Sequence, residues 1–125
     1  PRNQGLRERS KSGELNPHSF YQQLLRLIYR FLFLMVAEER NLITENQTYR
    51  DYYSISRLRY LAELRSAYSY HEDLWIGLQT TFHLFQDEQL AKMLQVPPLN
   101  GDLFNTSQTP DIEGISINNR DFLTA

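Results

Sequence analysis

The chain has 125 residues, 41% of them apolar and 22% charged, with a net charge of −2 and no cysteine. That is enough for one domain with a single core. The missing cysteine excludes disulfides, thiolate metal sites and cysteine nucleophiles together, and it agrees with a reducing, cytoplasmic setting.

The near-neutral sum hides an asymmetry. Residues 1–65 carry 11 basic and 7 acidic groups, whereas residues 66–125 carry 2 and 8. Arginine outnumbers lysine 11 to 2, a bias that suits phosphate contacts and interface ion pairs alike.

Residues 3–12 are polar and predict a short helix closed by Gly13. Asn16 then caps a long helix with Pro17 at its first position, where the missing N–H costs nothing. From Phe20 to Ile43 this helix is apolar almost all round. Leu24, Ile28, Phe31 and Met35 make one stripe, Leu25, Leu32 and Val36 a second, and Leu27 and Leu34 a third. Arg26, Arg30, Phe33 and Ala37 are left as a narrow solvent face. A helix of this kind needs neighbours on several sides. It is no membrane span, since its longest unbroken apolar run is Phe31–Ala37 and a span needs about 20 residues. Asn41 is placed to end it in the left-handed conformation.

Residues 44–53 read as a polar connecting loop. Ser54 caps a helix over 55–66, with Tyr53 and Leu58 closing a hydrophobic staple. Ser69 and Glu72 form a capping box that opens a helix over 70–86. Its stripe is Leu74, Leu78, Phe82 and Phe85, flanked by Trp75. Asp87 caps a short helix through Leu94, and Pro97-Pro98 ends helical structure. Asn100-Gly101 is a turn signal. Residues 105–114 read as loop, and Ile112, Ile115 and Ile117 suggest extended chain lying across another domain. Asn118 and Asp121 then repeat a capping pattern, with Phe122 and Leu123 beginning an apolar face. The chain starts at Pro1 and stops at Ala125 on this fresh helix start, so both ends are expected to be cut points in a longer protein.

The expected fold is therefore all-α: a small irregular bundle of three main helices with an extended C-terminal segment. Residues 1–15 are a polar N-terminal segment, 16–96 the helical domain, and 97–125 a linker toward a catalytic domain outside this chain. Exposed apolar surface on so small a chain favours homodimerisation.

No set of residues converges on chemistry. His71-Glu72 begins a His-Glu-x-x-His zinc pattern, but its fifth position is Trp75. His18 and His83 have no ligand partners at metal spacing. Pro110-Asp111-Ile112-Glu113 lacks the Glu-x-Lys that a metal-dependent nuclease needs, and no phosphate-loop sequence occurs. Six of the eight tyrosines fall between Tyr49 and Tyr70, interleaved with arginines. Arg50, Arg57 and Arg59 are the candidates for DNA-phosphate contact; the competing reading pairs them with nearby carboxylates. Glu38, Glu39 and Arg40 are the candidate interdomain contact, set against an ordinary solvated helix end.

Five ordered blocks carry a family resemblance. They are Leu24–Leu34 with Ala37-Glu38-Glu39-Arg40; Tyr53-Ser54-Ile55-Ser56-Arg57-Leu58-Arg59; His71-Glu72-Asp73-Leu74-Trp75 with Leu78 and Thr81-Phe82; Leu99–Phe104; and Ile117–Leu123. Together they resemble the N-terminal helical region of bacterial restriction-modification DNA methyltransferases of the fused, type IIG kind. The resemblance implies a parent enzyme that is adenine-specific, S-adenosylmethionine-dependent and cytoplasmic, with or without a fused endonuclease. It also implies DNA and the methyltransferase domain of the same chain as partners. The family's Phe-x-Gly-x-Gly and Asn-Pro-Pro-Tyr motifs are absent from this sequence, so no catalytic, cofactor or metal residue carries over. The alternative is a non-catalytic helical scaffold or protein-interaction domain unrelated to DNA.

Overall fold

A computed structural model describes residues 3–96 and 103–125. Pro97-Pro98 and the Asn100-Gly101 turn lie outside the described residues. The fold is all-α, with no strand among the described residues. The helices are α1 (Gln4–Ser12), α2 (Pro17–Glu39), α3 (Gln47–Tyr52), α4 (Ile55–Leu61), α5 (Asp73–Leu84), α6 (Glu88–Met93), α7 (Pro110–Glu113) and α8 (Asn119–Thr124). Short 3-10 turns occupy Arg65–Ala67 and Thr106–Gln108.

Local signals set several boundaries as expected. Gly13 closes α1 at φ 82°. The Asn16 side chain accepts from the amides of His18 and Ser19, with Pro17 at the first position of α2. At the other end Asn41 sits at φ 55°. Its amide donates to the Glu38 carbonyl, and that of Leu42 donates to the Ala37 carbonyl. This double bond pattern satisfies the last carbonyls of the helix. Ser54, Asp87 and Asn118 each cap the helix expected after them.

Other expectations are corrected. Residues 44–53 contain α3 rather than only loop, because Asn46 supplies a cap and Tyr49 buries to 1% exposure. The helix expected over 55–66 stops at Leu61. There the Tyr68 hydroxyl donates to the Ala62 carbonyl at 2.6 Å and turns the chain. The Ser69–Glu72 capping box does not form. Glu72 gives no side-chain cap, and α5 begins at Asp73. Nor does residues 103–125 run out as an extended segment across another domain. Phe104 and Ile112 bury to 3% and 2% in this chain's own core, and two short helices form on the way.

The largest correction concerns the faces of α2. Its buried residues are Gln23, Arg30, Leu34 and Ala37. Two of these, Arg30 and Ala37, belong to the face the sequence reading assigned to solvent. The outward residues are instead apolar: Ile28, Leu32 and Val36 stand 45–50% exposed. The reason lies in the C-terminal segment, which crosses α2 with backbone amides and carbonyls turned toward it. Polar side chains, not leucines, can satisfy its amides and carbonyls.

α2 packs on α4 and α7, α5 on α6 and α8, and α3 on α4. The core joins Leu34, Leu58, Leu74, Trp75, Leu78, Phe82 and Phe85 to Tyr49, Phe104 and Ile112. Phe104 sits at its centre, with ring centroids 5.0 Å from Phe85 and 5.8 Å from Phe82. The Trp75 indole is buried, and its N–H donates to the Ile115 carbonyl at 3.0 Å.

Candidate functional site

Three helices begin on side chains borrowed from distant parts of the chain. Glu38, in the last turn of α2, receives the amides of Ile55 and Ser56 at 2.8 and 3.0 Å, the first two of α4. It also accepts from the Ser56 hydroxyl and from the Tyr49 phenol, each at 3.0 Å. A carboxylate on orphan helix amides is favoured by both hydrogen bonding and the helix dipole. Burial pushes the Tyr49 phenol pKa up, and the charge of Glu38 and the hydrogen bond to it add to the rise.

Gln23 does the same for α7. Its Oε1 accepts from the amides of Asp111 and Ile112, and its Nε2 donates to the Asp111 carboxylate at 2.7 Å. Arg9 bonds the other carboxylate oxygen at 2.7 Å. The hydrogen bond from Gln23 holds the Asp111 pKa below its ordinary value; partial burial opposes this, and Arg9 reinforces it. Asn119 serves α5. Its Oδ1 accepts from the Leu74 amide, while its Nδ2 donates to the Asp73 carboxylate at 2.9 Å and to Ser69 Oγ.

Arg30 is the fourth tie. It is fully buried, donates to the carbonyls of Leu103 and Asn105 and to Thr109 Oγ1, and lies 5.4 Å from the Phe82 ring centroid. Burial lowers its pKa; Glu113 counters this and Arg26 adds to it. Sequence reasoning missed Gln23, Arg30 and Asn119 as joints. The one available signal was a polar residue recurring at helical spacing on an otherwise apolar helix.

The candidate phosphate ligands do not form one patch. Arg50 and Arg57 line a concavity of 440 Å³ that also holds Glu38, Asp51, Tyr49 and Tyr60. Arg50 is exposed, in the last turn of α3. Arg57 is half-buried with its Nε unpartnered, and its Nη2 rests 3.4 Å from where a Cβ on Gly77 would stand. Burial lowers its pKa against the opposing pull of Asp73 and Tyr53. Arg59, two residues on, points to the other side of α4, as residues i and i+2 must. There it meets Glu39 at 2.6 Å with both side chains more than half exposed. Two carboxylates beside two guanidiniums leave the concavity nearly neutral, a weak lure for phosphate.

Of the interdomain candidates, Glu38 and Glu39 are therefore engaged within the chain, and Arg40 is exposed at the C-cap of α2. All three histidines are exposed. His83 contacts Glu113 at 3.1 Å, and no metal-binding cluster exists among the described residues. No described helix is long and apolar enough to cross a membrane. A second concavity, apolar and of 460 Å³, runs between α2, α4 and α8 beside Ile28 and Leu32. Comparison with protein-family models, curated proteins and solved structures returns no match.

Proposed function

We propose that this chain is the helical structural region of a cytoplasmic, S-adenosylmethionine-dependent, adenine-specific DNA methyltransferase of the restriction-modification kind. Its role is to hold the catalytic and recognition parts of that enzyme in register, and it performs no chemistry itself. One observation carries the idea of a single architectural unit: the blocks that resemble the family are the blocks that interlock. Glu38 of the first block caps the helix opened by Ile55 and Ser56 of the second. Asn119 of the last block caps the helix opened by Asp73 and Leu74 of the third. Glu38, Asp73 and Asn119, polar residues of three of these blocks, thus have a structural task.

The methyltransferase parentage rests on the resemblance alone. Its test is the coding sequence adjoining this chain's in the gene. Over about 150 further codons, one domain's length, it should encode Phe-x-Gly-x-Gly and Asn-Pro-Pro-Tyr; their absence from both sides overturns the reading. The subsidiary role, DNA-phosphate contact through Arg50, Arg57 and Arg59, is tested by titrating the chain against a labelled duplex at rising salt. Phosphate contacts give affinity that falls steeply with salt. No binding at low salt removes the arginine role and leaves the parentage intact. The competing reading, a scaffold unrelated to DNA, draws support from the apolar outward face of α2.

A further inference from the structure

The solvent side of α2 is chemically wrong for water. Tyr21, Ile28, Leu32 and Val36 stand 58, 50, 45 and 47% exposed, with Leu25 between them. At 3.6 residues per turn these five lie within an arc of about 80°. They run along about 24 Å of helix, at 1.5 Å per residue. Tyr29, 57% exposed, borders the stripe, and the apolar groove opens along its other edge, walled by Leu58 and Phe122.

We propose that this face is a self-association surface, on which two copies of the chain pair their α2 helices antiparallel about a two-fold axis near the level of Arg30. Self-complementarity is the reason to choose a second copy. The stripe Tyr21-Leu25-Ile28-Leu32-Val36-Glu39 has spacings of four, three, four, four and three, which reverse into nearly the same pattern. About that axis Ile28 faces the second copy's Leu32, Leu25 comes opposite Val36, and the Tyr21 phenol reaches Glu39. A two-fold contact needs such a surface, in which each patch meets its own image. Parallel pairing would instead set Glu39 and Arg40 beside their own copies, like charge on like, and would align the helix dipoles unfavourably.

The area fits. The four stripe residues and Tyr29 are each about half exposed. Taking about 200–250 Å² for each tyrosine and about 150–200 Å² for each aliphatic side chain, they offer at most roughly 500 Å² per copy. With all of it covered, two copies bury about 1,000 Å², the lower bound for a specific interface, and the groove beside Ile28 and Leu32 gives the partner's side chains a place to seat. The inference does not depend on the methyltransferase reading.

Sedimentation velocity on the full chain over a concentration series tests it. The expected result is a reversible dimer. Leu32→Glu should weaken it by about tenfold or more, because the carboxylate would be desolvated without a partner. Because Leu32 is outward-facing, the circular dichroism spectrum should not change. Tyr52→Glu, on another exposed aromatic (62%), should leave the dimer intact. The chain lacks cysteine, so mixing the Ile28→Cys and Leu32→Cys proteins under oxidation reads the register directly, and the mixed disulfide should dominate. A monomer at every concentration overturns the proposal. So does a dimer indifferent to Leu32→Glu, or a preference for 28–28 and 32–32 links over the mixed one.

Discussion

Removing the Glu38 carboxylate should destabilise this fold far more than removing an ordinary helix cap. In the native chain that group accepts four hydrogen bonds, from the Tyr49 phenol, the Ile55 and Ser56 amides and the Ser56 hydroxyl. Ser56 is exposed, so water replaces its two bonds at little cost. Tyr49 and Ile55 are 1% and 0% exposed, so Glu38→Ala strands a buried hydroxyl and a buried amide. Each stranded group costs about 1–3 kcal/mol, giving about 2–6 kcal/mol in all, against about 1 kcal/mol for a typical cap. Glu38→Gln keeps one acceptor oxygen but turns an amide against the other donors, and should lose about half as much. Tyr49→Phe removes only one donor and should cost about 1 kcal/mol. In the Glu38→Ala background the same change should instead restore part of the loss, since it removes a hydroxyl already stranded without its acceptor. Urea unfolding followed by the fluorescence of Trp75, the single tryptophan and a buried one, measures all four proteins. A Glu38→Ala midpoint within about 0.5 kcal/mol of the parent, the range of an inert surface change, would refute the idea that this carboxylate organises α4.

Other outcomes follow from the remaining ties. Arg30→Met should destabilise by about 3–5 kcal/mol, because it leaves the Leu103 and Asn105 carbonyls without their donor; hydrogen exchange should then quicken first over residues 103–113, and unchanged exchange there would contradict the clamp. Asp111 contributes stability through a depressed pKa, so its effect is present above the carboxylate's unfolded value near 3.9 and disappears as pH falls through the folded value. The stability gap between the parent and Asp111→Asn should therefore be widest at neutral pH and close in acid; a constant gap would refute the linkage. Tyr49 has the opposite sign. Its raised pKa holds stability up to the phenol's unfolded value near 10 and loses it at higher pH, so Tyr49→Phe should flatten the alkaline limb of the stability profile. Gly77→Ala replaces a poor helix former inside α5, and the added methyl meets only the end of the Arg57 side chain at 3.4 Å. It should stabilise by about 0.5–1 kcal/mol, and a loss of stability would show that Arg57 cannot yield.

What could be read along the chain was local. The cap at Asn16, the left-handed stop at Asn41 and the cap at Asp87 act within a few residues of where they stand, and the structure keeps all three. The stripe Leu74-Leu78-Phe82 also points to the core as its spacing required. The capping box at Ser69 and Glu72 failed because Asn119, some fifty residues away, already occupies the start of α5. Of the candidate site residues, the arginines were visible as a cluster in sequence but not as a scattered set in space. Arg57 and Arg59 fall on opposite sides of α4, and Glu39 already pairs with Arg59.

By itself the sequence determined that the fold is helical, where most of its helices start, and that α2 carries more apolar surface than one side of a small domain can cover. It could not determine which side. An apolar helix offers several equivalent faces to a core, and hydrophobic burial is non-directional, so spacing alone does not rank them. Only the tertiary structure decided, by laying residues 103–113 across α2 as backbone that needed polar partners. Gln23 and Arg30 supplied them, turned that face inward, and left Ile28, Leu32 and Val36 facing out.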